Sequence, residues 1–269
     1  MNNPQITTRS MHYPLFDTHC HLDLPELWPA WPEHWRLAQQ AGVQALLIPA
    51  VAKENWPHLL KLCQTNPQFY LALGIHPWWA IKHHLADIDL LALQLQQPEV
   101  SVQAIGEIGL DFALDADSFV IQQQLFAAQL ALAKRHKLPV ILHHRKSQPA
   151  LLAEIKRQQF SEGGILHAFS GSQQQAHAFI DVGFKLGIGG TITYSRAEKT
   201  RNAVSKLPLS ALVLETDAPA MPLSGFQGQV NTPAQLAQVF DALCQLRDES
   251  PPQLAAALWQ NSRQVLRLS

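Results

Sequence analysis

The chain has little that would tie it to a membrane or an oxidising compartment. No apolar run approaches the roughly 20 residues that a membrane span needs. The opening MNNPQITTRSMHY carries no apolar core of the kind a secretory signal requires. There are only three cysteines, Cys20, Cys63 and Cys244, far apart and odd in number. They offer no disulfide framework and no CxxC pair, which suits a reducing cytoplasm. Excess positive charge is missing too: 20 Lys and Arg against 21 Asp and Glu give a formal net charge of -1. A protein that grips a long nucleic acid through many phosphates carries a basic stripe. None is visible here, so phosphate recognition is expected only locally, in a pocket. Charged residues make up 15% against 47% hydrophobic. That balance excludes a disordered or coiled-coil chain and allows a large core.

A Gly-rich first turn of the GxGxxG type is also absent, as is any low-complexity linker. What is present is a rhythm. Eight short apolar runs, Leu15–Cys20, Val43–Val51, Phe69–Ile75, Val102–Ile108, Pro139–His143, Ile165–Phe169, Phe184–Ile188 and Ala211–Glu215, read as strands. Most are continuous rather than alternating, as parallel strands covered on both faces should be. Helical patterns lie between them, at Ser118–His136 with Asp117 or Ser118 as N-cap and at Ser172–Val182. Thr232-Pro233 and Ser250-Pro251 each look like an N-cap followed by proline at the first helical position. Eight β-then-α steps in 269 residues predict a closed (β/α)₈ barrel. The competing arrangement, an open doubly wound sheet, usually carries the Gly-rich turn. Residues 1–13 read as a polar tail, with Met11 an alternative start to Met1, and residues 14–269 as one barrel domain.

Polar residues of one chemical kind gather at the carboxyl ends of these strands. The first ends Asp17-Thr-His19-Cys-His21, the fourth Gly106-Glu107-Ile-Gly109-Leu-Asp111, and the fifth His143-His144-Arg145. The sixth ends His167-Ala-Phe-Ser170-Gly171 and the eighth Glu215-Thr-Asp217. Side chains two apart on a strand share a face, so His19 and His21 point together and Cys20 points away. A lone HxH is a weak signal. Ligand-type residues at five strand ends, all brought to one face by a barrel, make a metal site at its mouth.

The motifs FDTHCHLD, GEIGLD, PVILHHR, HAFSG and ETDAP, in this order and spacing, resemble the TatD family of metal-dependent hydrolases over nearly the whole chain from Phe16. The stretches GGTITYSRAEKTR and MPLSGFQGQ are similar to its YjjV branch in particular. The resemblance implies two divalent ions. His19, His21 and Asp217 would hold the first, His143 and His167 the second, and Glu107 would bridge them. The resemblance selects His143 over His144, which reads as a wall or surface histidine. Six such ligands can hold two ions about 3.5–4 Å apart. Four imidazoles favour Zn, Mn, Fe or Ni over Mg, although the family allows Mg.

Glu107 and Asp217 are the expected catalytic carboxylates, Asp217 as proton acceptor from the attacking water. Arg145 offers a fork to a phosphate oxygen, and Ser170 and Gly171 precede a helix whose free N–H groups suit an anion. His76, in Gly-Ile-His76-Pro, is placed to line the substrate cleft or to serve the structure. Asp17 is placed to orient a ligand or to cap a buried chain end. Trp78 and Trp79 offer faces for a base or sugar, or pack on a loop.

The expected function is therefore phosphodiester hydrolysis, on DNA ends or small nucleotides, with no membrane and no obligate protein partner. Amidohydrolase-type cleavage of a C–N or carboxylic ester bond is the alternative within enzymes, favoured if the pocket is apolar. A non-catalytic metal-binding protein is the alternative outside them. A structural metal site would fill its coordination rather than face an open mouth.

Overall fold

The computed structural model describes residues 13–96 and 101–268. The tail expected at residues 1–13, and the choice between Met1 and Met11, therefore fall almost wholly outside the described residues.

Eight strands pair in parallel in the order in which they occur. They are β1 Leu15–Asp17, β2 Val43–Pro49, β3 Phe69–Leu73, β4 Val102–Asp111, β5 Val140–Arg145, β6 Gly164–Leu166, β7 Phe184–Ile188 and β8 Leu212–Leu214. The sheet closes where the first and last strands meet. Thr18 N–H donates to the Leu214 carbonyl at 2.9 Å, Asp217 N–H to His19 at 2.9 Å and His21 N–H to Ala218 at 2.8 Å. Helices cover the outside: α1 Trp31–Gln40, α2 Trp56–Thr65, α3 Asp87–Gln94, α4 Phe119–His136, α5 Gln148–Arg157, α6 Gln173–Ile180, α7 Glu198–Lys206, α8 Leu236–Cys244 and α9 Pro251–Val265. The chain is a (β/α)₈ barrel. Among the described residues no helix is long and apolar enough to cross a membrane.

Two apolar layers follow from the strand pleat. Phe16, Leu47, Ala72, Ala104, Ile141, Ile165 and Val213 point into the lumen and fill it. Tyr70 and Trp259 pack against Phe16 with ring centroids 5.3 and 5.8 Å away. Leu46, Ile48, Leu71, Leu142, Leu166 and Leu186 point the other way, into the larger core under the helices. Each such side chain stabilises the fold by about 1.5–3 kcal/mol when fully buried. The packed lumen leaves only the mouth, at the carboxyl ends, for polar groups.

Helix starts follow the caps in two places. Ser172 and Gln175 form a reciprocal capping box on α6, and Ser250 and Gln253 do so on α9, with Pro251 at its first position. Ser118 stands at the N-cap of α4 without capping it. Its hydroxyl donates to the Asp115 carbonyl and accepts from Gln122 instead.

Strand ends differ from the apolar runs for a local reason. β1 stops at Asp17 because the next amides alternate partners, Thr18 to β8 and Cys20 to Leu47 on β2. β6 stops at Leu166 because His167 N–H bonds to Leu142 and Phe169 N–H to Gly187, one on each side. β4 runs on to Asp111, paired with β5 as far as Arg145. That close approach needs Gly109, whose φ is +146° and where an added Cβ would stand 2.1 Å from the His143 carbonyl oxygen.

Candidate metal centre

The mouth of the barrel brings together the six residues that the strand ends present. The His19 and His21 rings meet with Nε2 atoms 3.1 Å apart. Glu107 Oε2 lies 3.1 Å from the first and 3.3 Å from the second. Asp217 Oδ1 is 3.7 Å from each. Glu107 turns its other oxygen the opposite way, with Oε1 at 3.0 Å from His143 Nδ1 and 3.7 Å from His167 Nε2. His167 Nε2 also lies 3.9 Å from Asp217 Oδ2. One carboxylate thus faces His19 and His21 with one oxygen and His143 and His167 with the other, which also has His76 Nε2 at 3.3 Å.

The proton positions say what belongs between them. His21 Nδ1 faces the Pro49 carbonyl at 3.1 Å, so it carries the hydrogen and leaves Nε2 as a bare lone pair. His167 Nδ1 faces Glu215 Oε1 at 3.1 Å, with the same result. His143 Nε2 faces Asp111 Oδ2 at 3.2 Å, so a neutral ring that donates there would turn a lone pair on Nδ1 toward Glu107. Three neutral imidazoles would point lone pairs at two carboxylates and donate to neither. Such an arrangement calls for cations, and imidazole with carboxylate suits a divalent transition metal. His19, His21 and Asp217 each place a donor atom within 4.8 Å of one another, and so do His19, Glu107 and His167. A third such group joins His76, Glu107 and His143.

His76 plays a different part from the other members of that group. Its Nδ1 accepts the Trp78 backbone N–H at 3.1 Å, so in the neutral ring Nε2 holds the hydrogen, with Glu107 Oε1 3.3 Å away. Burial lowers its pKa to about 4, which keeps it neutral. His76 is a donor facing the pocket rather than a lone pair.

The electrostatics point the same way. Burial by itself would lower His167, but Asp217, Glu215 and Glu107 outweigh it and raise the ring to about 10. Burial raises Asp217 to about 6 against the pull of His167 and His21. Burial would also raise Glu107, yet His76, His19 and His167 hold it well below the usual carboxylate range. Without a metal, the mouth draws in positive charge as protons.

A cavity of about 210 Å³ opens onto the ligands. Its remaining walls are mostly apolar: Leu24, Val51, Trp78, Trp79, Pro219 and Ala220. Trp78 is 56% exposed at the rim. Arg145, Ser170 and Gly171 are not part of it. Arg145 is exposed and lines a neighbouring cavity of about 410 Å³ with His144, Gln148 and Ser170. Gly171 N–H is already given to Thr200 Oγ1 at 3.1 Å, and the Ser172 and Gln175 amides are given to their capping box. Asp17 is fully buried and accepts from Thr216 Oγ1 at 2.6 Å, Thr216 N–H at 3.0 Å and His19 N–H at 3.2 Å. It clamps β1 to the end of β8, and burial raises it to about 7.

Two supporting carboxylates stand in the sequence without a visible role. Glu215, two residues before Asp217, holds both His167 Nδ1 and the Ala168 amide, the latter at 2.6 Å. It fits only beside glycine, since a Cβ on Gly187 would stand 1.9 Å from Glu215 Oε2. Asp111, four residues after Glu107, holds His143. The signal for each was an acidic residue near an expected ligand at a strand end.

Comparison with known proteins agrees with this geometry. The family described as TatD related DNase matches residues 16–267. The metal-dependent hydrolase YjjV of Escherichia coli (strain K12) is 47% identical over 246 residues, covering 91% of this chain and 95% of the relative. A 3'-5' ssDNA/RNA exonuclease, TatD of Salmonella typhimurium (strain LT2), is 31% identical over 238 residues, covering 85% and 89%. The crystal structure of the Escherichia coli K12 YjjV, a TatD homologue, superposes with a TM-score of 0.91 at 44% identity, covering 96% of this chain and all of the other (100%).

Proposed function

The chain belongs to the TatD-related DNase family of metal-dependent hydrolases, and on that premise we propose that it is a two-metal phosphodiesterase acting on DNA ends or small nucleotides. The observation that carries this is the convergence of His21 Nε2, His143 Nδ1 and His167 Nε2 on Glu107 and Asp217, with the other nitrogen of each ring facing an acceptor. His19, His21 and Asp217 would hold one ion and His143 and His167 the other, with Glu107 shared through its two oxygens. Two ions so held would supply Lewis acidity and make a water acidic near neutral pH.

The chain's own groups do the rest. Asp217 lies beside both imidazole pairs and takes the proton from the attacking water. His76 presents Nε2–H to the pocket, where it can donate to a phosphoryl oxygen. The exposed face of Trp78 gives a base a stacking surface at the rim. Arg145, in the adjoining cavity, meets a phosphate one step along the substrate. The exonuclease name of the Salmonella relative supports a nucleic-acid substrate.

One observation favours a second reading. Apart from the ligands and His76, the walls of the metal cavity are apolar and hold no Lys or Arg. That suits hydrolysis of a C–N or carboxylic ester bond in an apolar substrate. The two readings part on substrate. Metal-stripped protein should turn over an aryl phosphodiester only after Zn, Mn or Mg is restored, and faster than a matched aryl ester or anilide. Preference for the ester or anilide would replace the phosphodiester reading. Turnover of none would leave a metal-binding protein.

A further inference from the structure

Asp111 and Trp78 belong to none of the candidate ligand groups among the described residues, yet they join those ligands to the rim. Asp111 Oδ2 accepts the Trp78 indole N–H at 2.7 Å and faces His143 Nε2 at 3.2 Å. Its Oδ1 accepts from the Ala113 amide at 2.9 Å. Its own N–H is held by Gln122 Oε1 at 2.8 Å. The Asp111 side chain is fully buried. Its carboxylate is thus fastened at two points besides His143 and its backbone by Gln122, so it cannot follow that ring if it turns.

This matters because an imidazole binds a cation only through the nitrogen that lacks the proton. When His143 is neutral, donation from Nε2 to Asp111 holds the proton there and leaves Nδ1, beside Glu107, free for a cation. His21 gets the same service from the Pro49 carbonyl and His167 from buried Glu215. Only for His143, among these three, does the supporting group itself depend on an exposed side chain, the Trp78 indole. Trp78 is in turn located by its backbone N–H on His76 Nδ1.

We propose that Asp111 is a positioning residue that makes His143 present Nδ1 to the second metal, and that the Trp78 indole N–H is the outer support that keeps Asp111 in place. Trp78 then has two separable duties, its face toward substrate and its edge toward the metal. The proposal rests on the two-metal reading above.

The test is a zinc titration of the stripped protein by calorimetry, with tryptophan emission followed in parallel. Asp111→Asn keeps the shape and removes the charge. It should weaken the second ion by about 10–100-fold, the usual cost of losing such a supporting group, and leave the first unchanged. Trp78→Phe keeps an aromatic face and removes only the donor. It should weaken the same ion by about 2–12-fold, the worth of one hydrogen bond. Filling the second site should change emission in the wild type by a component that Trp78→Phe lacks. Equal loss at both sites would mean general loosening and would overturn the proposal, as would unchanged second-site affinity in a folded Asp111→Asn. If Asp111→Asn fails to fold, Trp78→Phe decides alone, and an unchanged second site overturns the proposal. Uptake of a single ion by the wild type would instead sink the two-metal reading, and this proposal with it.

Discussion

His19, His21 and Asp217 sit where β1 and the end of β8 exchange backbone hydrogen bonds, whereas His143 sits half-buried at the end of β5 and is held through side chains. In the first corner the main chain sets the geometry. His21 donates to a backbone carbonyl, and the Asp17 carboxylate pins the His19 amide and both donors of Thr216. Asn231 holds the Thr216 carbonyl from behind at 2.9 Å. In the second corner the chain of support runs His143, Asp111, Trp78 and ends in solvent. A ligand fixed by main chain survives most single substitutions around it. One fixed by a line of side chains can be loosened at any link. On the two-metal proposal, the ion at the β1 and β8 corner is expected to be the more tightly held and the ion at the β5 corner the more readily exchanged.

Asp217→Asn should give the larger of two kinetic effects and sharpen this contrast. General-base assistance contributes about 10²–10⁴-fold, so the rate should fall by that order. The ion on His143 and His167 should be kept to a greater extent, because those ligands are untouched. Rates measured at saturating metal decide it, and wild-type turnover by Asp217→Asn would remove the proton-acceptor role. The same residue sets a pH dependence. In the metal-free chain burial raises Asp217 to about 6, so below that pH it holds a proton that a cation must displace. Metal uptake should weaken as pH falls through about 6, and Asp217→Asn should lose that part of the dependence.

A smaller effect is expected where the contrast meets the substrate. Arg145 follows His143 by two residues but lines the adjoining cavity. If it holds a phosphate there, Arg145→Ala loses a charge-assisted hydrogen bond of about 1.5–3 kcal/mol. The fall in kcat/KM on phosphodiesters should be about 10–150-fold, with both metals retained. Arg145→Lys should restore part of it, lacking the forked geometry. Unchanged kcat/KM in Arg145→Ala would take that cavity off the substrate's path and favour the ester or amide reading.

Much of the barrel could be read from the chain because a parallel strand covered on both faces writes itself as a continuous apolar run, as Val140 to Leu142 does. The ligand-type residues could be read because a barrel gathers strand ends at one face, which turns five separate polar endings into one cluster. The supports were not legible. Asp111 and Trp78 are 33 residues apart and meet only through folding. Neither a lone Asp after GEIGL nor a Trp pair announces a partner. Nor could sequence tell that Arg145 would line a cavity with His144 and Gln148 rather than the one lined by His143. His76 was legible only as a neighbour of the cleft, because its role as donor depends on the Trp78 amide.

The central claim is that one carboxylate serves both corners, Oε2 toward His19 and His21 and Oε1 toward His143 and His167. Counting metal ions per chain in stripped and reconstituted wild type and Glu107→Gln tests it directly, because the amide keeps the shape and removes the shared charge. The expected result is two ions in the wild type, the β5-corner ion bound more weakly, and loss of at least that ion, together with activity, in Glu107→Gln. Two ions bound at wild-type affinity in Glu107→Gln would contradict it.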